Sequence, residues 1–432
     1  MMKFYIHTTG CKANQWDSYL IANRLKEKGF TPGPMPRADF IIINACTLTE
    51  GAERDLRRFI NRARSANMDA RVIIAGCHAQ VYPEKTFGAD LVLGQEEKFH
   101  IDGYLTKEGS FVKKTRTIPM ESMLVNGLPT GRTRVFLKIQ DGCDRFCSYC
   151  IVPFARGKPR SRTSDEITRA MKTFSERGIK EVVLTGIELS AYKDPLTGTD
   201  FKSLLQTLEQ EKTPPRIRIS SIDPVYLDDE CIHIVASSKK IMKSIHIPLQ
   251  SGSNAILNKM GRHYTKEYID DLVKKLHNMI HDVGIGMDVM VGFPTEDESN
   301  FRETYCFLEE LDIYYLHVFP FSPRQGTRAA TMEDDVRDSV KKERVGMLRG
   351  LDAMKRKRFY ERFTGKKLCI LPEGKIYCNN YMRGYTENYI PVYIPYEKSL
   401  ENNLVNVTIK KIRDSIVIGE LAVKSYDHYL SE

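Results

Sequence analysis

Cys143, Cys147 and Cys150 fall within eight residues, in Asp141-Gly142-Cys143-Asp144-Arg145-Phe146-Cys147-Ser148-Tyr149-Cys150, directly after a run, Val135–Gln140, that reads as a β-strand. Three thiols on so short a loop can turn inward on one soft metal centre. Zinc prefers four closed ligands, usually as paired Cys-x-x-Cys knuckles, and no second knuckle or His pair follows here. A three-thiolate site fits a [4Fe–4S] cluster better. Three ligands for four irons leave one iron open, able to bind and reduce a second molecule rather than only pass electrons.

That loop opens a long series of alternating elements. The strand candidates are Val135–Gln140, Glu181–Ile187, Arg216–Ile222, Lys243–Leu249, Ile285–Gly292 and Leu316–Phe321. Helical stretches such as Ser164–Arg177, Phe201–Glu209, Thr265–His281 and Glu298–Leu311 separate them, which predicts an incomplete (β/α)6 barrel with parallel strands. Upstream, Lys3–Thr8, Asp39–Asn44, Arg71–Ala75 and Asp90–Leu93 read as strands between the amphipathic stretches Asn14–Lys28 and Gly51–Ala66. They predict a three-layer α/β domain around a parallel sheet, with a linker from Gly103 to Gly131. Past Gly365 the pattern turns to short β-rich pieces, Lys367–Leu371, Ile390–Ile394, Leu404–Ile412 and Ser415–Val423, a small barrel or sandwich. The division expected is 1–125, 132–363 and 365–432, a reasonable load for 432 residues of which 41% are hydrophobic.

A second cysteine set is dispersed. Cys11, Cys46 and Cys77 each end a strand and precede a helix. If the strands are parallel, the three thiols share one sheet edge, where open α/β folds bind ligands, and can converge on one ion or cluster. Gly10 and Gly76 suit a close backbone approach there. The helix amino termini beyond would stabilise an anionic cluster. Ten cysteines are too sparse for a disulfide scaffold, and the apolar runs Phe40–Ile43 and Val72–Ala75 fall far short of the ~20 residues of a membrane helix. With no long apolar h-region at the amino terminus, the expectation is a cytoplasmic protein whose reduced thiols bind metal, without a membrane partner.

The motif Cys143-x-x-x-Cys147-x-x-Cys150 on the first strand of such a barrel resembles the radical S-adenosylmethionine enzymes. Adding Thr9–Gln15, Asn44–Thr47, Gly142–Arg162, His246–Ser253, Met260–Arg262 and Val291–Pro294, the chain resembles the methylthiotransferases along essentially its whole length. The resemblance implies two [4Fe–4S] clusters, a radical one held by Cys143, Cys147 and Cys150 and a sulfur-donating one held by Cys11, Cys46 and Cys77. It also implies S-adenosylmethionine, cleaved to a 5′-deoxyadenosyl radical, and an electron donor such as a flavodoxin or ferredoxin. In that family the tripeptide Gly186-Ile187-Glu188 lies where the methionyl amine is bound. Gly186, Glu188, Arg218, Ser220, Gln250 and Gly292, at or near carboxyl ends of barrel strands, are the candidate S-adenosylmethionine contacts.

Radical chemistry suits the reaction implied, because an adenine C2–H is neither acidic enough for a side-chain base nor attached to a leaving group. The segments Lys138–Cys143, Pro153–Gly157, Leu184–Glu188, Thr47–Thr49 and Gly94–Lys98 look most like the MtaB-type branch, which modifies threonylcarbamoyladenosine next to the tRNA anticodon. Ala45, Asp223 and Gln325 depart from its usual residues, and none is a cluster ligand. Other branches act on isopentenyladenosine or on a ribosomal-protein aspartate, and a non-catalytic iron–sulfur RNA-binding protein is the rival from another class.

Lys plus Arg exceed Asp plus Glu by 65 to 56, for a net charge of +9. Around the radical loop, Arg132, Arg134, Lys138, Arg156, Lys158, Arg160 and Arg162 read as a stripe that can hold phosphates of an anticodon stem-loop, or as solvated surface charge. The terminal domain resembles the TRAM module, an RNA-binding barrel. Tyr377, Tyr381, Tyr385 and Tyr389 are its candidates for stacking on bases. Cys231, Cys306, Cys369 and Cys378 lack metal spacing and read as packed thiols.

Overall fold

The computed structural model describes residues 1–113, 118–121, 133–333, 336–377, 380–413 and 415–422. Arg132, Cys378, Val423 and the linker residues Gly127, Pro129 and Gly131 lie outside them.

The first strands are β1 (Lys3–Thr8), β2 (Thr31–Pro32), β3 (Phe40–Ala45), β4 (Arg71–Gly76), β5 (Leu91–Leu93) and β6 (Gly109–Phe111), with helices α1 (Lys12–Glu27), α2 (Glu50–Ala66) and α3 (Cys77–Val81) between them. They form one parallel sheet in the order β2-β1-β3-β4-β5-β6. β3 and β4 are nearly continuous runs of buried Ile and Val, because a parallel sheet covered on both faces leaves no polar side. Thr49 caps α2 by accepting from Ala52 N, and Leu56, Phe59, Ile60 and Ala63 bury its apolar stripe on the sheet. The sequence reading missed β2 and β6. Both are two- or three-residue edge strands without a hydrophobic run, and β6 lies inside the stretch assigned to the linker.

The second series contains β7 (Arg134–Lys138), β8 (Gln140–Asp141), α4 (Val152–Arg156), β9 (Arg160–Ser161), α5 (Ser164–Glu176), β10 (Glu181–Thr185), α6 (Phe201–Gln210), β11 (Arg216–Ile219), α7 (Asp229–Ser237), β12 (Ser244–Gln250), α8 (Asn254–Met260), α9 (Lys266–Met279), β13 (Gly284–Val291), α10 (Glu298–Glu310), β14 (Tyr315–Pro320) and α11 (Asp338–Glu361). The parallel trios β11-β10-β7 and β12-β13-β14 meet through the bridges Ile217 to Ile241 and Ser221 to His246, giving the open six-stranded barrel expected. One core is continuous from Phe4, Leu20 and Ile21 through Val135 and Leu137 to Leu184 and Ile217, so the first sheet and the barrel share their packing.

The strands β15 (Lys367–Tyr377), β16 (Tyr381–Tyr385), β17 (Pro391–Pro395), β18 (Val405–Arg413) and β19 (Ile416–Leu421) close into a barrel in the order β15-β16-β17-β19-β18. Its core takes in Phe359, Tyr360 and Phe363 from the end of α11 and its continuation. Arg216 donates to the carbonyls of Tyr385 (2.8 Å) and Cys369 (2.7 Å), and Arg218 to those of Thr386 (2.7 Å) and Glu387 (3.0 Å). At Gly284 a Cβ would lie 2.3 Å from the Asn388 carbonyl oxygen, so only glycine lets the two barrels approach this closely.

Candidate functional site

β1, β3 and β4 are neighbours in the sheet, so Cys11, Cys46 and Cys77, which follow them, stand side by side along its carboxyl edge. Gly10 and Gly76 both adopt φ +92°, which L side chains rarely hold. A Cβ on Gly10 would lie 2.6 Å from Cys46 Cβ and 2.8 Å from its Sγ; one on Gly76 would strike Asn44 Oδ1 at 2.3 Å. Cys46 N donates to Thr9 Oγ1 (2.9 Å), Leu48 N to Cys46 Sγ (3.5 Å) and Gln95 Nε2 to Cys77 Sγ (3.1 Å). Burial, then the neighbouring Cys77, pushes the Cys46 thiol up to about 12.

The second set sits on the loop between β8 and α4. Gly142 has φ +77° and no room for a Cβ, the Lys158 carbonyl oxygen being 2.1 Å from that position. Cys143 N donates to Gly157 O (3.0 Å), Ser148 N to Met260 O (2.9 Å) and Cys150 N to Cys147 O (2.9 Å), so the loop is pinned from both sides. Arg262 reaches Cys147 Sγ at 3.5 Å and Pro248 O at 3.1 Å. Burial pushes Cys143 up to about 11 and Cys150 up to about 12, with the adjacent thiols adding to it.

The donor chemistry is that of iron–sulfur ligation. Among the described residues no three His, Cys, Asp or Glu side chains are arranged to hold a single metal ion. A cluster, whose thiolates attach to different irons, takes wider-spaced ligands.

Most of the described basic stripe is internal rather than a phosphate track or solvated charge; Lys158 is exposed and stays available for either role. Lys138, Arg156 and Arg162 are each 1% exposed, and Arg134 is half-buried. Lys138 bonds Asp17 and Asp141 (2.8 Å to the latter), Lys98 bonds Asp17 (2.7 Å), Arg156 bonds Asp141 (2.8 Å) and Asp17 (3.1 Å), and Arg160 bonds Asp141 (3.0 Å). Charges this deep require partners, and these come from both the first sheet's helices and the barrel. Gln95 accepts from Lys98 and donates to Cys77 Sγ, while Asp141 accepts from Gly142 N (2.9 Å), making a continuous path from Cys77 to the Cys143 loop. Four cations here are bonded to two carboxylates, and the Glu121 carboxyl, pushed up to about 7 by burial, lies within electrostatic reach of Lys138 and Lys98. The surplus positive charge lies beside Cys77 and Cys11, as Arg156's electrostatic partners show, and suits an anionic thiolate cluster. Sequence reading missed Asp17 and Lys98. The available signal was Asp17's place on the apolar stripe of Ala13, Leu20 and Ile21.

A cavity of about 440 Å³ runs along the inner face of the barrel strands. Gly186, Arg218 and Ser220 line it, together with Gly10, Cys11 and Lys12 from the first domain and Tyr389 from the terminal barrel. Glu188, Gln250 and Gly292 do not. Glu188 pairs with Arg145 (2.9 Å) and its carboxyl is raised by burial against that pull. Gln250 adopts φ +75° and its buried Oε1 has no hydrogen-bond partner among the described residues. Gly292 packs on Lys341, 2.4 Å from where its Cβ would sit. Arg218's guanidinium is occupied by Glu181 (3.0 Å) and the terminal-barrel carbonyls. Gln140, not singled out from sequence, accepts from Ile187 N (3.0 Å) and Glu188 N (2.8 Å) and donates to Gly142 O (2.8 Å), tying the Cys143 loop to the second strand's turn.

Two of the candidate stacking tyrosines face inward. Tyr385 covers Arg134 at 4.4 Å and Tyr389 covers Arg218 at 4.6 Å, while Tyr377 packs edge-on against Tyr393.

Residues 137–308 match the radical SAM superfamily and residues 3–94 an uncharacterised protein family, UPF0004. The chain is 37% identical to the threonylcarbamoyladenosine tRNA methylthiotransferase MtaB of Bacillus subtilis, over 87% of this chain and 88% of that protein. It is 33% identical to the tRNA-2-methylthio-N(6)-dimethylallyladenosine synthase of Geobacillus thermodenitrificans, over 97% of this chain and 83% of that one. Among solved structures it resembles the radical S-adenosylmethionine methyltransferase TsrM of Kitasatospora setae, with a TM-score of 0.55 at 16% identity, over 76% and 77% of the two chains.

Proposed function

This chain belongs to the radical S-adenosylmethionine methylthiotransferase family, and from that premise we propose that it converts N6-threonylcarbamoyladenosine beside the tRNA anticodon to its 2-methylthio derivative. The observation that carries the reading is the shared cavity, in which Cys11 of one cysteine set meets Gly186 and Ser220 at the carboxyl ends of the barrel strands. The identity to MtaB proteins of Bacillus subtilis and Aquifex aeolicus, 37% in each case, supports the substrate.

Cys143, Cys147 and Cys150 would hold one [4Fe–4S] cluster and Cys11, Cys46 and Cys77 the other. With S-adenosylmethionine, the two supply one-electron sulfonium cleavage and a sulfur atom for an unactivated C–H bond. The chain's own contribution is placement. The Asp17–Asp141 network and Gln140 fix the two cysteine sets relative to one another, which is the proximity term for a reaction joining groups held by different domains. Arg262 sets a cation against Cys147, and Arg145 orients Glu188. Their position on the cavity wall supports Gly186 and Ser220 as S-adenosylmethionine contacts. Gln250 has a free acceptor, and Glu188, Arg218 and Gly292 act through neighbours.

We assign residues 1–125 to the sulfur-donating cluster, 132–363 to radical generation and 365–432 to RNA. Exposed Lys367, Lys375, Lys411 and Arg413 on the terminal barrel support salt-sensitive phosphate contacts. A flavodoxin or ferredoxin would supply electrons. No helix among the described residues is long and apolar enough to cross a membrane.

The test is mass spectrometry of tRNA nucleosides from a host lacking the modification, with and without this protein. A new 2-methylthio derivative of threonylcarbamoyladenosine is expected. Modification of isopentenyladenosine alone would reassign the substrate, and no modified nucleoside from protein carrying both clusters would point to a ribosomal-protein aspartate or a non-catalytic role.

Gly10→Ala gives a narrower check. A methyl group directed at Cys46 Sγ is expected to displace that thiol, so the reconstituted variant should lose about half its iron, the share of one of two clusters, while keeping the other. Iron and sulfide analysis reads this directly, and wild-type iron content would contradict it.

A further inference from the structure

Asp288, the acid among the residues lining the cavity, is held by two imidazoles, while the Lys12 cation is hydrogen-bonded to no described residue. Asp288 lies 3.1 Å from His246 Nε2 and 2.8 Å from His317 Nδ1, so two imidazoles hold its carboxylate. Behind the wall, Glu181 pairs with Arg134 and Arg218. The side chain of Lys12, next to Cys11 and lining the same cavity, makes no hydrogen bond or ion pair with any described residue. Arg134 and Arg218 add to the positive potential around it, and Asp288 is the carboxylate whose charge reaches it most. An ammonium in a partly enclosed cavity whose carboxylate, Asp288, is held by two imidazoles rather than ion-paired to it is set for an anion that arrives with the substrate.

We propose that Lys12 is the substrate-specifying residue of this cavity, receiving the free carboxylate of the amino-acid group carried on N6 of the target adenosine. The assignment rests on the threonylcarbamoyladenosine reading above. Position supports it. The base must bring C2 to the cysteine set that includes Cys11, and the N6 substituent extends from the same ring, so its carboxylate falls within reach of the adjoining residue. An isopentenyl group has no charge to offer and would leave the ammonium unpaired, a penalty that selects between the two tRNA substrates.

The test uses the reconstituted holoenzyme and three anticodon stem-loops identical except at the target nucleoside: threonylcarbamoyladenosine, its carboxyl methyl ester, and unmodified adenosine. Wild type is expected to bind the acid about tenfold or more tightly than the ester, the range of a charge-assisted hydrogen bond. Lys12→Gln and Lys12→Met should bind acid and ester alike, with affinity for the unmodified loop and for S-adenosylmethionine unchanged, and Lys12→Arg should retain the preference. Iron content confirms that each variant is assembled, and either neutral variant suffices.

Equal weakening toward all three loops would make Lys12 a phosphate contact. Weakening toward S-adenosylmethionine alone would assign it to the methionyl carboxylate, and a preference surviving in the neutral variants would remove it from recognition; each overturns the proposal. A wild-type enzyme indifferent to acid, ester and unmodified loop overturns the substrate reading itself, and Lys12's role with it.

Discussion

Cys147→Ala is expected to abolish formation of 5′-deoxyadenosine from S-adenosylmethionine and, with it, all methylthiolated nucleoside, whereas Cys46→Ala keeps the first activity and loses only the second. The two thiols lie in separately built sites. Cys147 is held on the 143–150 loop against Arg262, 3.5 Å away, while Cys46 is buried between Gly10 and Cys77 on the edge of the first sheet. Removing one of three ligands leaves a cluster two attachment points and destroys the geometry that exposes its open iron. A loss of about a thousandfold or more is the scale for a residue without which the step has no alternative. Liquid chromatography of 5′-deoxyadenosine beside nucleoside analysis of the same reaction separates the two effects. Methylthiolated product from either variant would sink the two-cluster assignment.

Asp17→Ala is expected to be among the most destabilising single substitutions in the chain. Its carboxylate is fully buried and pairs with Lys98, Lys138 and Arg156, drawn from both sides of the interface between α1 and β7. Without it, cations remain in the interior with too few acceptors. Breaking a buried pair in this way costs about 3–5 kcal/mol, which for a chain of 432 residues is a fall of about 3–6 °C in melting temperature. Burial alone would raise the Asp17 pKa, but Lys138, Lys98 and Arg156 hold it well below the usual carboxylate range, and Asp141 is held low by Arg156, Lys138 and Arg160 against the same burial. A carboxylate depressed in the folded state stabilises above its unfolded pKa of 3.8 and loses that stabilisation as pH falls toward the folded value. Wild-type stability should therefore decline from about pH 5 downward. The isosteric Asp17→Asn should be destabilised at pH 7 and show a shallower acid limb. Melting curves across that range decide it; an Asn variant as stable as wild type at pH 7 would show the network to be unimportant.

The alternation of strands and helices was legible because each main element carries its own apolar period: β3 as an unbroken Ile run, α2 as a stripe, β7 and β10–β14 as strands between helices. The cysteines were legible for a different reason. Their spacing, or their repeated place after a strand, needs no knowledge of tertiary contacts. What was not legible depends on partners distant in sequence. Lys138, Arg156 and Arg162 look like surface charge until Asp17, Asp141 and the backbone around them are brought into contact, and nothing in the sequence says that Arg134 and Arg218 lie against the rings of Tyr385 and Tyr389. Short edge strands such as β2 escaped because two residues carry no period. β16, Tyr-Met-Arg-Gly-Tyr, buries Met382 and Gly384 but presents little apolar content to a reader.

If Cys11, Cys46 and Cys77 hold a cluster as proposed, the surplus of cations behind them would tie the lifetime of the chain to the supply of iron. Until thiolates form there, the seam between the first sheet and β7 contains more positive charge than it neutralises, and metal ligation relieves that repulsion as it adds bonds. A ligand that binds only the closed form stabilises it by mass action, so the metal-free chain opens more often than the loaded one. Proteases that cut transiently opened chains then remove the empty population first. Scarcity of iron is then expected to lower the abundance of the protein as well as the fraction that is active.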